Sequence, residues 1–236
     1  MITNGVLPSE RATSRIIHTG DGLAWLRRER LGPEAAIVTS LPDVSELRLD
    51  AKGWSEWFVD AARLCCEQVA DDSIAIFFQS DIRLEGRWVD KADLVRRGAD
   101  RAGSSLLFHK IVCRAPAGTI TPGRPGYAHL VGFSRTLRIE RDDAVPDVIP
   151  QLGAMTWSRA MGIGACEATC KLLRRIPACR VVVDPFCGVG TMLAVANDHG
   201  FDAIGVEISA KRAEKARGLD LRTPRPRPRS TDTEGG

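Results

Sequence analysis

The stretch VVVDPFCGVGT, residues 181–191, decides the fold. Three valines are typical of a buried β-strand, and the Gly-x-Gly that follows leads into Thr191 and an apolar segment compatible with a helix. Glycine at positions 188 and 190 lets the backbone take positive φ and approach a ligand closely. The helix start offers unpaired N–H groups to polar or anionic atoms. The pattern predicts a strand, a tight turn and a helix around a bound cofactor.

The next predicted strand ends in GVE, residues 205–207. A carboxylate at this position, that of Glu207, can accept hydrogen bonds from both ribose hydroxyls of an adenosine. These features also suit a nicotinamide cofactor, but Leu193 replaces the third glycine of a G-x-G-x-x-G turn. Asp184 and Pro185 also open the turn, and both differences argue against nicotinamide.

Short β-rich apolar runs alternate with amphipathic stretches along the rest of the chain. This alternation predicts an α/β domain with a mostly parallel, seven-stranded sheet covered by helices on both faces. Strands are predicted at Arg15–His18, Ala35–Thr39, Ser73–Phe78, Ser105–Cys113, Ala128–Ser134, Val181–Val183 and Ala203–Val206. Helices are predicted at Leu23–Arg28, Trp54–Val69, Lys91–Ala102, Ile163–Arg174, Thr191–His199 and Ala210–Arg217.

Length and composition predict one folded domain. Of the 236 residues, 44% are hydrophobic and the formal net charge is +3, so the chain can bury a core and is only mildly basic. We predict a flexible N-terminus over 1–14, the domain over 15–217 and a disordered Arg/Pro-rich tail over 218–236. No apolar run approaches the ~20 residues of a membrane span. We expect a cytoplasmic protein without a membrane partner, with organelle import left open.

The cysteines and two histidines are predicted to be structural. Cysteines number seven, lie mostly in apolar segments and show no zinc-ligand spacing, so we predict small buried hydrophobes and no metal site. They are Cys65, Cys66, Cys113, Cys166, Cys170, Cys179 and Cys187. His18 and His109 lie in apolar strands and are predicted to be satisfied core histidines.

DPFCGVGT at 184–191, followed by GVEIS at 205–209, resembles motifs I and II of the class I S-adenosylmethionine-dependent methyltransferases. The likeness is strongest to the amino-methyltransferases of DNA and RNA, which modify cytosine N4 or adenine N6. The resemblance implies a Rossmann-like methyltransferase fold and S-adenosyl-L-methionine as the cofactor. It implies that the cofactor is held by Asp184, Pro185, Phe186, Cys187, Gly188, Gly190, Thr191 and Glu207.

The glycine loop comes too late in the chain to be followed by a whole sheet, so the other motifs must precede it. A strand ending in Asp21 resembles the third motif, whose acidic residue accepts from the adenine amino group. Arg159 and Gly162 belong to a segment that resembles motif X, where Arg159 would pair with the cofactor carboxylate. From about residue 15 to 217 the order matches the circularly permuted beta group of DNA amino-methyltransferases.

The segment TSLPD, residues 39–43, takes the position of the catalytic motif IV. Thr39 precedes the motif, Ser40 takes its first place, Pro42 its third place and Asp43 the place of an aromatic ring that stacks on the base. The resemblance implies that Ser40 accepts from the target amine, as in cytosine-N4 enzymes. Loss of the ring matters because base stacking is worth ~1–3 kcal/mol. Asp43 could instead accept from a guanine edge or another amine, or cap a turn.

A target-recognition domain is missing, since only residues 136–156 stand where that domain is inserted. Little surface is left to read a duplex major groove, which favours RNA over DNA as the substrate, or a partner subunit that supplies recognition. Around a long Gly/Pro-rich loop over 114–126, the candidates for phosphate or base contacts are Lys110, Arg114, Arg124 and Tyr127. A solvated basic loop explains the same residues.

Three functions are compatible with these features. The leading hypothesis is a methyltransferase that acts on an amino group of a nucleic-acid base, with transfer or ribosomal RNA favoured. The altered motif IV also suits an inactive subunit that keeps the fold and positions RNA for a catalytic partner. A methyltransferase for small molecules or proteins is the third, with Asp43 facing a cationic amine.

Overall fold

A computed structural model describes residues 12–140 and 145–221. Its strands are β1 Arg15–Thr19, β2 Ala35–Thr39, β3 Ala75–Gln79, β4 Ile82–Leu84, β5 Arg87–Val89, β6 Ser105–Cys113, β7 Tyr127–Ser134, β8 Val148–Ile149, β9 Val181–Asp184 and β10 Asp202–Glu207. Its α-helices are α1 Gly22–Arg28, α2 Ala51–Gln68, α3 Lys91–Arg101, α4 Ile163–Leu173, α5 Thr191–Asp198 and α6 Ala210–Arg217. A short 3-10 turn covers Val44–Glu46.

The main sheet has the strand order β1-β10-β9-β2-β3-β7-β6-β8. Strands β1, β10, β9, β2 and β3 are parallel, and β7 runs antiparallel to both β3 and β6. The sequence predicted seven strands, and the eighth is β8, which pairs two residues with β6. A two-residue strand has too few positions for a periodic pattern, as have the strands of the β4–β5 hairpin, so sequence analysis missed all three.

The order of the strands in the sheet explains the late glycine loop. Strand β9 lies between β10 and β2 in the middle of the sheet, although it is ninth along the chain. Strand β1, near the start of the chain, pairs in parallel with β10, near its end. From β9 the chain continues to β10 on one side, and from β2 it continues to β3 on the other side, so the order of connection reverses between these two parallel strands. α/β sheets bind ligands in the crevice at the carboxyl ends of strands at such a reversal.

Helices cover both faces of the sheet, as predicted. The side chains of β3 alternate, so that Ile76 and Phe78 pack towards α4, α5 and α6 while Ala75 and Phe77 pack towards α1, α2 and α3. In α2, Trp54 and Phe58 are fully buried in the core. Within the described ranges, no helix is both long and apolar enough to cross a membrane.

The prediction that His18 and His109 are core histidines was wrong, whereas the cysteine prediction holds for most positions. Both are exposed: His18 lies on the edge strand β1, and His109 lies beside the buried His129. Six of the seven cysteines are buried and Cys113 is half-buried.

The predicted flexible ends, 1–14 and 218–236, lie mainly outside the described residues. Where they are described, they contact the domain: the amide of Ser14 donates to Asp202 Oδ1 at 2.7 Å, and the guanidinium of Arg15 donates to the carbonyl of Leu219 at 2.7 Å. The folded contacts therefore extend slightly beyond 15–217 on both sides.

Gly98 in α3 provides a test of helix packing. A Cβ atom there would lie 2.5 Å from the Val59 carbonyl oxygen and 2.7 Å from the Ala62 Cβ in α2. Helix propensity alone favours alanine by ~1 kcal/mol, but overpacking costs ~1–3 kcal/mol. We expect Gly98→Ala to lower the free energy of unfolding in urea. Gly218→Ala is the control, because its Cβ would meet nothing closer than 4.0 Å. Stabilisation by Gly98→Ala would contradict this packing.

Candidate cofactor and substrate site

A cavity of about 580 Å³ opens at the carboxyl ends of β9, β10, β2 and β3. Its volume lies in the range of sites for small molecules and cofactors. Most of the predicted site residues line it: Asp21, Ser40, Pro42, Asp43, Arg114, Arg124, Arg159, Asp184, Pro185, Phe186, Cys187, Gly188, Thr191 and Glu207. Five predicted residues are not in its described lining: Thr39, Gly162, Gly190, Lys110 and Tyr127.

The glycine loop takes the backbone conformation that the sequence predicted. Gly188 has φ +57 and Gly190, which caps α5, has φ +82. A Cβ at Gly190 would lie 2.9 Å from the Cβ of Ala216, and one at Gly188 would lie 3.2 Å from the indole of Trp157. Both positions therefore need glycine for conformation and for space. Gly190 shapes the loop from behind and does not face the cavity.

Asp184 is the buried centre of this loop. Its Oδ1 accepts from the hydroxyl of Thr39 at 2.7 Å and from the backbone N–H of Phe186 at 3.0 Å. Burial raises the pKa of Asp184 to about 7, although both hydrogen bonds act to lower it. Thr39 was predicted to be catalytic, but it is buried beneath the cavity and holds Asp184 in place.

Glu207, at the end of β10, is buried and faces the cavity. Its Oε1 accepts from the amide of Ser209 at 2.7 Å and from Arg212 Nη2 at 2.6 Å. The Arg212 guanidinium also lies 5.7 Å from the centre of the Trp157 ring. Sequence analysis missed Arg212 and Trp157, because they belong to no motif and only the fold brings them together.

Asp21 lies at the cavity and caps a helix at the same time. Its Oδ1 accepts from the backbone N–H of Ala24 at 2.7 Å at the start of α1. The adjacent Gly22 was not predicted to matter, yet a Cβ there would lie 2.0 Å from the Pro185 carbonyl oxygen. Only glycine lets α1 approach the cofactor loop this closely.

The motif IV loop is held by hydrogen bonds from several sides. The Pro42 carbonyl accepts from the indole N–H of Trp54 at 3.1 Å, and the Asp43 amide donates to Glu46 Oε2 at 3.1 Å. Arg159 pairs with the other oxygen of Glu46 at 2.7 Å. Arg159 was predicted to pair with a cofactor carboxylate, but in this structure an acidic side chain of the protein already neutralises it.

Asp43 forms an ion pair with Lys91, the first residue of α3. The lysine side chain is only 4% exposed, and its ammonium lies 5.5 Å from the centre of the Phe58 ring. Asp43 also caps the 3-10 turn, which agrees with the alternative of a turn cap. Lys91 was missed because a lysine at a helix start is usually solvated. Because the Lys91 ammonium is buried against it, the Asp43 carboxylate is already paired within the protein.

A second polar cluster lies beside the cavity, on the face of the sheet covered by α3. His129 Nε2 lies 3.1 Å from Asp81 Oδ2, and its Nδ1 lies 2.8 Å from Nε2 of His109. Burial acts to raise the pKa of Asp81, but hydrogen bonds from His129 and the Lys91 amide outweigh it and hold this pKa below its usual value. Asp81 therefore presents an ionised carboxylate to the cavity wall.

Among the residues that the structure describes, three in this region have a geometry suited to a metal ion. Ligand atoms of Asp81, Asp90 and His129 lie within 4.8 Å of one another. Asp90 Oδ1 already accepts from the amide of Asp93 at the start of α3.

Tyr127 packs edge-on against His129 with ring centres 5.3 Å apart, and burial raises the pKa of the Tyr127 hydroxyl. Tyr127 thus joins this cluster and does not line the cavity.

The remaining predicted residues divide between the cavity and the core. Arg114 donates to the Ser80 hydroxyl at 2.9 Å, and burial, with the nearby charge of Arg124, lowers its pKa. Lys110 was predicted to contact the substrate, but it is buried on the opposite face of β6 from His109, where it donates to Asp147 Oδ1 at 3.0 Å. Alternation along β6 causes this difference.

Gly162 supports the cavity from outside. It caps α4, and a Cβ there would lie 2.2 Å from the carbonyl oxygen of Leu152. The neighbouring Met161 lines the cavity, and the hydroxyls of Thr156 and Thr191 are in contact at the start of α5. The segment that resembles motif X therefore does lie against the cofactor loop.

Comparison with solved structures identifies the fold. PvuII DNA methyltransferase, which is cytosine-N4-specific, superposes with a TM-score of 0.71 at 14% identity over 90% of this chain and 89% of that chain. TTHA0409 of Thermus thermophilus, provisionally assigned as a DNA modification methylase and solved with S-adenosyl-L-methionine, gives 0.65 at 17% identity over 87% of this chain and 94% of that chain. M1.HpyAVI, also solved with this cofactor, gives 0.56 at 12% identity over 86% of this chain and 98% of that chain.

No protein-family model and no curated protein sequence matches the chain. The structural matches confirm the predicted fold class: a Rossmann-like, class I methyltransferase fold with its elements in permuted order. The described sheet has eight strands in place of the predicted seven.

The buried Asp184 carboxyl predicts a pH dependence of stability. Between the ordinary aspartate pKa of 3.8 and about 7, the folded protein keeps the proton of Asp184 while the unfolded chain has lost it. The free energy of unfolding of the cofactor-free protein therefore falls as pH rises through this window, by up to ~1 kcal/mol per pH unit. Asp184→Asn removes this contribution and keeps an oxygen for Thr39.

The measurement is urea unfolding of the wild type and of Asp184→Asn at several pH values. Other groups titrate equally in the two proteins, so a difference between their pH profiles reports on Asp184. We expect the unfolding free energy of the wild type to fall more steeply with pH than that of Asp184→Asn. Parallel profiles would show that Asp184 is ionised throughout this window.

Proposed function

We propose that the protein is an S-adenosylmethionine-dependent methyltransferase that modifies an amino group of a nucleic-acid base, with DNA as the acceptor. The observation that carries the proposal is the cavity at the reversal between β9 and β2. There the glycine loop, Glu207 and the motif IV loop share one space. We expect the protein to act in the cytoplasm.

The residues of the cavity suit this cofactor. Asp21, Asp184 and Glu207 give the cavity lining carboxyl groups, which suit a ligand that carries hydroxyls, an amine and a sulfonium. All the hydrogen bonds described above for Glu207 end on Oε1, and Oε2 is the oxygen proposed to accept from the ribose. Asp21 would accept from the adenine amino group. When bound, the cofactor supplies an electrophilic methyl group.

On the substrate side, Ser40 is the motif IV residue proposed to act. Its half-buried side chain lines the cavity, whereas Asp43 pairs with Lys91 and the Pro42 carbonyl is used by Trp54. The hydroxyl oxygen of Ser40 would accept a hydrogen bond from the target amine and orient its lone pair. The amine must also lose a proton on methylation, and Asp81 offers an ionised carboxylate in the same wall.

DNA is proposed in place of the RNA that the sequence favoured. The structurally similar proteins are named as enzymes of DNA. The interval between β7 and α4 contains only the two-residue β8 among its described elements. A small recognition surface suits an unpaired or flipped base, because unpairing exposes the base edge without a groove-reading domain.

Cofactor binding tests the first half of the proposal. We expect calorimetry to detect binding of S-adenosylmethionine to the wild type, and Glu207→Gln to weaken it about tenfold, because a hydrogen bond to a charged group contributes ~1.5–3 kcal/mol. Glu214→Gln is the control, since Glu214 pairs with Arg217 on the outside of α6. Thermal melting of each variant checks the fold. Absence of binding by the wild type would refute the cofactor assignment.

Methyl transfer tests the second half. The protein is incubated with cofactor labelled on its methyl group and, separately, with single-stranded DNA, duplex DNA, total RNA or protein extract. We expect label in DNA, and about a tenfold lower initial rate for Ser40→Ala, since one hydrogen bond to the reacting amine is lost. Ser55→Ala on α2 is the control.

Each other result has a defined meaning. Label in RNA alone would show that RNA and not DNA is the acceptor. Label in protein alone would overturn the nucleic-acid proposal. Cofactor binding without transfer to any of these acceptors would favour the inactive subunit that the altered motif IV also suits.

A further inference from the structure

The β4–β5 hairpin projects from the cavity mouth outside the main sheet. Its two strands pair antiparallel, with Arg83 directly opposite Trp88. The connecting turn has two residues, Glu85 at φ +48 and Gly86 at φ +78. Two consecutive positive φ values define the tight hairpin turn whose twist matches that of the strands. Glu85 is the only residue other than glycine with positive φ in the described chain, an uncommon conformation that this two-residue turn requires.

The hairpin exposes an aromatic ring that the core does not use. Trp88 is 49% exposed, although indole is a large apolar group that usually packs inside. The guanidinium carbon of Arg83 lies 4.7 Å from the centre of its ring. A stacked arginine fixes the indole and leaves the N–H edge of the guanidinium available to an anion.

The position and charge of the hairpin point to one kind of ligand. Ile82, Arg83 and Leu84 line the cavity mouth, and Arg114 and Arg124 line it from the loop over 114–126. Among the lining residues, the carboxyl groups of Asp184 and Glu207 are buried, whereas Arg83 and Arg124 are exposed. This distribution suits a ligand whose phosphates stay at the rim while one base enters the cavity.

We infer that the hairpin is a nucleic-acid contact: Trp88 stacks on a base next to the one that enters the cavity, and Arg83 contacts its phosphate. The ligand is an unpaired DNA strand, because a base offers its flat face to a ring only when it is unstacked. The hairpin thereby supplies some of the substrate contacts that a target-recognition domain would otherwise provide. This inference rests on the proposed function, since it names the surface that holds the acceptor.

Binding of a fluorescein-labelled, single-stranded oligodeoxynucleotide, followed by anisotropy, tests the role of the ring. We expect Trp88→Leu to raise the dissociation constant about fivefold or more, because leucine is apolar but has no face for stacking. Trp88→Phe should retain most of the affinity. S-adenosylmethionine binding should stay unchanged in both variants, since Trp88 is outside the described cavity lining. Ile139→Ala is the control for loss of an exposed apolar side chain.

The salt dependence of the same binding tests Arg83. The slope of the logarithm of the binding constant against the logarithm of the salt concentration should become shallower by about 0.7 in Arg83→Gln, as expected for one phosphate contact on a single strand. Trp88→Leu should leave this slope unchanged. Arg97→Gln, on the exposed side of α3, is the charge control.

The outcomes separate this inference from the function on which it rests. Binding by the wild type that Trp88→Leu and Arg83→Gln leave unaltered would overturn the hairpin contact alone. If the wild type binds no oligonucleotide while it still binds S-adenosylmethionine, the nucleic-acid proposal fails as well. Equal weakening by Ile139→Ala would also overturn the inference, because the effect would not be specific to the ring.

Discussion

The hydrogen bond from the Thr39 hydroxyl to Asp184 joins the ends of the two parallel strands at which the sheet reverses. One strand continues into the glycine loop and the other into the motif IV loop, so this contact fixes the spacing of the two loops. The rest of the cavity is assembled around it. Because Asp184 is buried, the protein carries a costly carboxyl group at the one point where both halves of the proposed chemistry meet.

The motif IV loop shows how a changed motif can keep a defined shape. In the resembling enzymes, a ring at the last position would stack on the base, whereas here Asp43 forms an ion pair with the buried Lys91. Glu46 bonds the Asp43 amide and also pairs with Arg159. These contacts hold the loop in place, but with Asp43 at this position the loop has no ring to stack on a base. An exposed ring at the mouth belongs to another element, at Trp88.

The sequence predicted what depends on local pattern. Strands such as Ala35–Thr39, the positive φ of Gly188 and the permuted order all follow from periodicity, glycine chemistry and motif order. Residues that act through distant contacts had no such signal: Lys91 has the sequence context of an ordinary helix start, and Asp81 and His129 are 48 positions apart. Arg159 lines the cavity and Lys110 does not, and the acidic partner of each, Glu46 or Asp147, could be identified only in three dimensions.

The pairing of β1 with β10 has a consequence for how the chain reaches this structure. Arg15 and Ala203 are neighbours in the sheet although almost the whole domain separates them in sequence. During synthesis, β1 emerges early and has no partner until β10 has left the ribosome. Contacts of such large sequence separation slow folding and leave a strand edge unpaired in the meantime. The strand order that brings β9 beside β2 at the candidate site therefore also leaves β1 without its partner strand until β10 has been made.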